Sequence, residues 1–278
     1  MNVEFFFVAQ QKNLITYSRK LPDMPSIGLV CNVYNDKIAL QGLLESGALS
    51  YFDDAFILHA GPNNKRSTDG TIELIEQYGI RHGFMDILKG FDVVRTRLIH
   101  ESRCEWSFIM DADERFYTTG TRYEVSGTEK YPDSKNPNLP CRAVETYDQG
   151  AMLREMLAKA EPGHMAVRLM RRHWMNAPGE EPRPAQNWHH TEDWQLRCIR
   201  NDTRIFFERK LHELLKWTPN WQEPPWISGD KERGPFHDHY NVFYKSTTAM
   251  KNTEDIQTYR AIDSGLVKGM WIESFPQS

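Results

Sequence analysis

Asp111 and Asp113 stand two residues apart, directly after the apolar run Trp106–Met110 (WSFIM), and Glu114 follows them. In extended backbone, residues i and i+2 point to the same side. Two carboxylates held together without a counter-ion repel and raise each other's pKa. A divalent cation removes that conflict. Mg²⁺ or Mn²⁺ is typically held by one or two carboxylates, with water and substrate phosphates filling the other positions. The spacing therefore points to Mn²⁺ or Mg²⁺ gripping a nucleotide diphosphate. The competing reading is a solvated acidic turn that caps the next segment, and a position at the exit of a buried strand favours the metal. His237 and His239 share the same i, i+2 relation and can face one site if their segment is extended. Six histidines, His173, His189, His190, His212, His237 and His239, open a second chemistry, a zinc-dependent metallohydrolase. Their spacings match no HExxH pattern.

The elements that must position these side chains follow from periodicity. Ile27–Val33 (IGLVCNV) is a short β-branched run and reads as a buried strand. Asn35 or Asp36 then caps a helix whose Leu40, Leu43, Leu44 and Ala48 form one apolar face. Ala55–Ala60 (AFILHA) is a second buried strand, broken by Gly61, Pro62, Asn63 and Asn64. A helix with Ile72, Leu74 and Ile75 inside follows, and Gly79 is placed to end it. After Gly90 comes a helix with Phe91, Val94 and Leu98 inside, and then the Trp106–Met110 strand. Such strand–helix alternation implies a parallel sheet sandwiched by helices, with ligands at the carboxyl ends of the strands.

Beyond Phe116 the pattern loosens. Residues 120–147 read as a long polar excursion and Gln149–Ala160 as an amphipathic helix. His173–His190, with its prolines and tryptophans, reads as a flap or binding loop, residues 194–217 as two short strands and a turn, and 246–262 as an outer helix. The expected organisation is an N-terminal extension (1–26), a strand–helix half that carries the acidic strand end (27–118), an insertion or flap (119–190), a second half with the late histidines (191–245) and a helical tail (246–278).

Composition bounds the function classes. The chain has 278 residues, 34 Lys and Arg against 38 Asp and Glu, and 40% hydrophobic residues. That excludes collagen-like, coiled-coil and wholly disordered readings. A net charge of −4 argues against a protein coated for nucleic acid, although Arg168, Arg171, Arg172 and Arg183 make a local basic patch. No apolar run reaches membrane-spanning length, and the start, MNVEFFFVAQQK, has no basic segment before its apolar one. Neither a membrane span nor a signal peptide is expected. Cys31, Cys104, Cys141 and Cys198 are widely spaced, which suits free thiols in a reducing cytoplasm.

Several motifs then carry a resemblance. Trp106-Ser-Phe-Ile-Met-Asp111-Ala-Asp113-Glu114-Arg115 follows W-x-L-x-L-D-A-D-E-R, and Gly90-Phe91 with Arg95 follows G-F-x-x-x-R. Ser67-Thr68-Asp69-Gly70-Thr71 reads STDGT, while Tyr34-Asn35-Asp36 and Leu44-Glu45-Ser46 fit the first strand's exit and first helix. Asp193-Trp-Gln-Leu-Arg197-Cys-Ile-Arg200, then Leu211-His212-Glu213, fits D-x-Q-L-R-L-F-R followed by (I/V)-H-E, and Phe236-His237-Asp238-His239-Tyr240 fits a C-terminal histidine segment. In this order the set resembles the family 2 glycosyltransferases of the GT-A fold, most of all the branch acting on bacterial lipopolysaccharide core. The motifs span residues 27–240.

The resemblance implies an α/β, GT-A (Rossmann-like), mostly parallel sheet flanked by helices, with an inserted flap and a C-terminal acceptor-side extension. It implies a metal-dependent, inverting transfer of a sugar from a nucleotide donor, UDP-sugar favoured, to a hydroxyl. Tyr34, Asn35, Asn64, Asp69, Arg95, Asp111 and Asp113 would hold the donor, with Tyr34 stacking on the base and Asp69 chiefly capping the helix that opens at Thr71. Asp111 and Asp113, with one of His212, His237 and His239, would hold the metal. Asp193, or less well its neighbour Glu192, would take the acceptor's proton. Trp188, His189, His190 and Arg172 would meet the acceptor, a glycan by resemblance or a hydroxylated base in DNA as the lesser option.

Two departures stand out. The family's aspartate before STDGT is missing from Ala60-Gly-Pro-Asn-Asn-Lys-Arg66, which puts the base in doubt, and the 173–190 loop is unusually long. A sugar-phosphate nucleotidyltransferase is the alternative of related fold, but Asn32–Lys37 lacks the glycine-rich loop that class places after its first strand. A non-catalytic sugar-nucleotide binder is a further option. The implied location is cytoplasmic, with peripheral attachment at the inner membrane face as an option.

Overall fold

Seven residues without an acid or a base among them, Ile27–Val33, form β1, and nearly all of it is buried because both of its faces are covered. The computed structural model describes residues 24–125, 141–174, 176–180, 193–211 and 213–240, with single positions at 244, 257, 258, 260 and 262. After β1 come α1 (Lys37–Glu45), the short α2 (Ala48–Tyr51) and β2 (Asp54–Gly61). Next are α3 (Thr71–Gln77), β3 (Arg81–Asp86), α4 (Phe91–Glu101), β4 (Trp106–Asp111) and the two-residue β5 (Glu114–Arg115). β6 (Thr119–Val125), β7 (Cys141–Asp148), α5 (Gln149–Ala158), β8 (Ala166–His173) and β9 (Trp194–Arg200) follow. The remaining strands are β10 (Ile205–Glu208), β11 (Leu214–Trp217), β12 (Trp226–Ser228) and β13 (Phe236–His239).

The main sheet has nine strands in the order β3-β2-β1-β4-β9-β8-β13-β5, with β12 on the outer edge of β8 beside β13. The first four strands are mutually parallel, β9 runs against both β4 and β8, and β13 runs with β8. The chain is thus an α/β protein with a mostly parallel, Rossmann-like sheet flanked by helices, as expected. Because β9 is reversed, the carboxyl ends of β1, β4, β8 and β13 and the amino end of β9 share one rim.

Alternation along β1 divides the core. Ile27, Leu29, Cys31 and Val33 face α1, α2, α3 and α5 in a cluster with Phe52, Phe108 and Phe116, whereas Val30 faces α4 through Val94, Leu98 and Ile99. Each such fully buried aliphatic side chain stabilises the fold by about 1.5–3 kcal/mol.

Some expectations change. β3 was not anticipated: it is an edge strand, half exposed, and its sequence RHGFMD offers no apolar run. Ala48 does not continue the first helix, because Gly47 adopts φ 81° and starts α2. Neither Asn35 nor Asp36 caps α1 with its side chain. Gly79 does follow α3, with φ 63°. Within 119–190, β6 and β7 form a separate antiparallel hairpin, while β8 is an interior strand of the main sheet. Residues 194–217 hold three strands rather than two. Cys31, Cys104 and Cys198 are free and buried. No helix among the described residues is long and apolar enough to cross a membrane. The N-terminal extension up to residue 23 and nearly all of the 246–262 helix lie outside the described residues.

Candidate active site at the strand ends

Two loops latch together at the carboxyl ends of β1 and β2. Ser67 Oγ accepts from Asn35 N (2.9 Å), Asn35 Oδ1 accepts from Thr68 N (3.0 Å), and Asp36 N donates to Thr71 Oγ1 (3.0 Å). Asp69 ties both helices: one carboxylate oxygen accepts from Thr71 N and Oγ1, the other from Lys37 N. Burial works against its charge, but these donors hold its pKa below the usual range. Asp69 therefore closes α3 and secures the start of α1. His59, buried at the end of β2, accepts Ser67 N on Nε2 (2.9 Å), and burial, reinforced by Arg66, lowers its pKa, which favours the neutral ring. Tyr34 lies edge-on to His59 with ring centroids 5.8 Å apart. Its ring crosses Gly61 so closely that a Cβ there would sit 2.9 Å from it and would collide with Lys65 O. Asn64 is exposed, with φ 56°. No acid stands before Ser67, but Asp86, at the end of β3, reaches across to accept Asn63 N (2.8 Å) and Leu88 N.

The acidic turn after β4 is the centre of the rim. Asp111 accepts Arg95 Nη2 at 3.1 and 3.4 Å and lies 3.8 Å from Arg197 Nη2. Burial opposes its ionisation, yet Arg95 and then Arg197 overcome that and hold the carboxyl far below the usual carboxylate range. Arg95 also donates to Glu213 (3.1 Å), which joins the acidic turn to the Leu211–Glu213 segment. Asp113 Oδ2 lies 3.5 Å from His239 Nε2. Glu114 is fully buried. It accepts Asp111 N, pairs with Arg197, and has Arg171 and His237 each at 3.6 Å. Burial raises its pKa despite Arg197. Below the turn, Arg115 is completely enclosed and donates to the carbonyls of Ala112 (2.7 Å), Glu114 (2.7 Å) and Ala39 (3.0 Å). Gly42 of α1 leaves the room for it, since a Cβ at that position would strike the Arg115 guanidinium.

Asp193 opens β9 on the same rim. Its Oδ2 accepts from Arg171 Nε (2.7 Å) and lies 2.8 Å from His173 Nε2, and its Oδ1 accepts from Gln195 Nε2 (2.5 Å). Burial again opposes charge, but the His173 hydrogen bond and Arg171 drive the carboxyl well below its ordinary value. His173 and His239 meet Nδ1 to Nδ1 at 2.9 Å. One line of contacts thus runs Asp193–His173–His239–Asp113.

The two late histidines separate by depth. β13 is extended, so both point to one side, but His237 is fully buried. Its Nε2 accepts Arg197 Nε at 3.1 Å, and burial together with Arg197 pushes its pKa well down. As placed, its Nε2 lone pair is committed, so of the two it is His239 that has a metal-facing position. Asp113 Oδ2 and His239 Nε2 fit a shared cation: adjacent ligands of an octahedral Mg²⁺ lie about 3 Å apart, close to the 3.5 Å found. Asp111 is differently placed, with its charge already met by two guanidiniums. Among the described residues no three His, Cys, Asp or Glu side chains converge on one point, and nothing there favours a histidine-built hydrolase.

On the acceptor side, Arg172 is enclosed rather than open. It forms a two-pronged pair with Asp238 (2.6 and 2.8 Å) and donates to Thr121 O. Arg168 pairs with Glu223 (2.6 Å) and lies over Trp226, while Arg171 serves Asp193 and Glu114. Each of these three cations is matched by an acid, so they do not form the basic patch expected for DNA. Trp188, His189, His190, Glu192, Arg183 and His212 lie outside the described residues. Sequence reasoning set Glu114 in the acidic cluster and His173 among the histidines, but gave Arg171, Gln195 and Glu213 no role at this rim. The available signal was β8, AVRLMRRH, where arginines interrupt an otherwise apolar strand.

No protein-family model matches the chain, and no curated protein sequence does either. Solved structures give distant likenesses. The 1–349 fragment of S. aureus TarS aligns with a TM-score of 0.40 and 12% identity, over 89% of this chain and 67% of that one. Mannosyl-3-phosphoglycerate synthase from Rubrobacter xylanophilus aligns at 0.36 and 10%, over 91% and 79%. Glucosyl-3-phosphoglycerate synthase from Mycobacterium tuberculosis, solved with Mn²⁺, UDP and glucosyl-3-phosphoglycerate, aligns at 0.27 and 14%, over 40% of each chain. At such TM-scores the likenesses carry no functional argument, and the reading of the site rests on its own geometry.

Proposed function

We propose that the chain is a metal-dependent, inverting glycosyltransferase of the GT-A type that moves a sugar from a nucleotide-diphosphate donor to a hydroxyl of a glycan. The charge balance of the rim carries this reading. Five carboxylates, Asp111, Asp113, Glu114, Asp193 and Glu213, face three guanidiniums, Arg95, Arg171 and Arg197. With Arg115 beneath the turn as a fourth cation, the described residues keep an excess of one negative charge before the rim histidines are counted, and the burial of Glu114 reduces it. The acidic turn would repel a diphosphate, and a divalent cation held by Asp113 and His239, whose Oδ2 and Nε2 lie 3.5 Å apart, would offset that repulsion. Bound there, Mn²⁺ or Mg²⁺ supplies a Lewis acid that neutralises the charge developing on the departing diphosphate.

The chain's own groups do the rest. Tyr34 offers its ring to the base beside Gly61, and Asp111, fixed by Arg95, faces the ribose. The acceptor hydroxyl attacks the anomeric carbon as the bond from that carbon to the diphosphate oxygen breaks. Its proton goes to Asp193. Oδ2 of Asp193 is bound by Arg171 and His173, whereas among the described residues Oδ1 carries the neutral Gln195 amide alone. An acceptor hydroxyl can displace that amide, which makes Oδ1 the receiving atom. UDP-sugars are the favoured donors by sequence resemblance, and the free, buried thiols of Cys31, Cys104 and Cys198 suit a cytoplasmic location.

The test is release of nucleoside diphosphate from UDP- and GDP-sugars with Mn²⁺. Turnover should require the metal and vanish in Asp113→Asn. In Asp193→Asn, glycan transfer should fall at least about 100-fold while donor binding persists. Metal-independent turnover, or full activity in Asp113→Asn, refutes the proposal.

A further inference from the structure

β13 presents its side chains to two different places. His237 and His239 face the acidic turn, and Asp238, between them, faces the opposite side. On that opposite side lies a cavity of about 440 Å³, bordered by Tyr117, Tyr123, Trp174, Tyr240, Arg172 and Asp238. Its volume falls within the roughly 300–1,000 Å³ typical of small-molecule sites. The floor is buried and the mouth, at Thr118, Thr119, Gly179 and Glu180, is exposed.

The chemistry of the lining narrows the ligand. Both oxygens of Asp238 are occupied: Oδ1 by Arg172 Nε and Trp174 Nε1 (2.8 Å), Oδ2 by Arg172 Nη2. Arg172 is packed against Tyr123, Trp174 and Phe236, 4.6–5.5 Å from the ring centroids. The floor is therefore an internally neutralised pair that offers no spare cation to a phosphate, and Glu180 at the mouth adds a negative charge. Aromatic walls, with Thr121, Asn176 and the Tyr117 and Tyr240 hydroxyls (3.4 Å apart) between them, match a molecule with apolar faces and hydroxyl edges. Such a molecule is a neutral sugar ring.

We infer that this cavity is a saccharide-binding site, separate from the metal-facing rim, that accepts an uncharged sugar ring of an oligosaccharide. It adjoins the rim through one strand: Tyr240 N donates to Asp113 O at 2.9 Å. If the proposed transfer holds, the cavity anchors a distal ring of the acceptor. The saccharide assignment itself rests on the cavity alone.

The experiment is saturation-transfer NMR on the full chain with maltose, cellobiose, lactose and chitobiose, without nucleotide or metal. At least one should bind. Tyr123→Ala should weaken it by roughly tenfold, the loss of one stacking wall, and Asn176→Ala, at a half-buried loop position, should also weaken it. Asp113→Asn should leave saccharide binding intact while abolishing Mn²⁺-dependent donor turnover, so failure of the transfer reading and failure of this one are told apart. The inference is overturned if none of the four sugars binds, if binding is unchanged in both cavity variants, or if inorganic phosphate displaces the sugar.

Discussion

Glu114→Gln removes one negative charge from beneath the rim and leaves the shape of the side chain intact. Its main partner, Arg197, is 4% exposed and would keep only Asp111, at 3.8 Å, as an anion. Breaking a buried pair by removing one partner costs about 3–5 kcal/mol. Two features pull the value to the lower end. Asp111 survives as a counter-charge, and burial already disfavours ionised Glu114, so the neutral amide regains part of the desolvation cost. We therefore expect about 3 kcal/mol, a fall in Tm of about 6–12 °C for a chain of this size, read by circular dichroism at pH 7. Arg197→Met should cost at least as much, since it leaves Glu114 enclosed with Arg171 3.6 Å away and strips His237 Nε2 of its donor. The double variant should be more stable than the sum of the single losses implies, because neither charge is then stranded. Additive losses, or a Glu114→Gln shift under about 2 °C, would refute the claim that these two groups form one buried unit.

Other consequences follow from the same network. Asp111 and Asp193 are both held far below their unfolded value of about 3.9. Their contribution is therefore complete above that value, starts to fall below it because the unfolded chain then binds more protons, and is gone once pH drops through the depressed folded value. Glu114, raised by burial, works in the opposite sense and favours the fold most at low pH. Thermal melts should show Tm dropping below about pH 4, with a shallower drop in Asp193→Asn; parallel curves would contradict this. Gly42→Ala places a Cβ against Arg115, which carries the acidic turn. It should lower stability by about 1–3 kcal/mol and also weaken donor binding, whereas Gly47→Ala, with open space around it, should affect stability alone, which donor titrations would show.

The sequence made part of this architecture readable. β1, β2 and β4 are apolar runs buried on both faces, and their order with α1, α3 and α4 implied the parallel half of the sheet. β3 was hidden because an edge strand need not be apolar, and β8 because its arginines are accommodated by pairing, Arg171 with Asp193 and the buried Arg172 with Asp238, which periodicity cannot reveal. At the site, the Asp111–Asp113 spacing and Arg95 stood out by type. The choice between His237 and His239 did not, since both point the same way. What separates them is depth along β13, set by pairing with β8 and β5, and that is information from distant parts of the chain.

The central claim is that Asp113 and His239 jointly hold the cation that admits the diphosphate. Mn²⁺ titration followed by electron paramagnetic resonance, in the presence of UDP, measures it directly. The wild-type chain should bind one Mn²⁺, and Asp113→Ala and His239→Ala should each weaken it at least about tenfold, with both variants still folded by circular dichroism. Wild-type affinity in both variants would contradict the account.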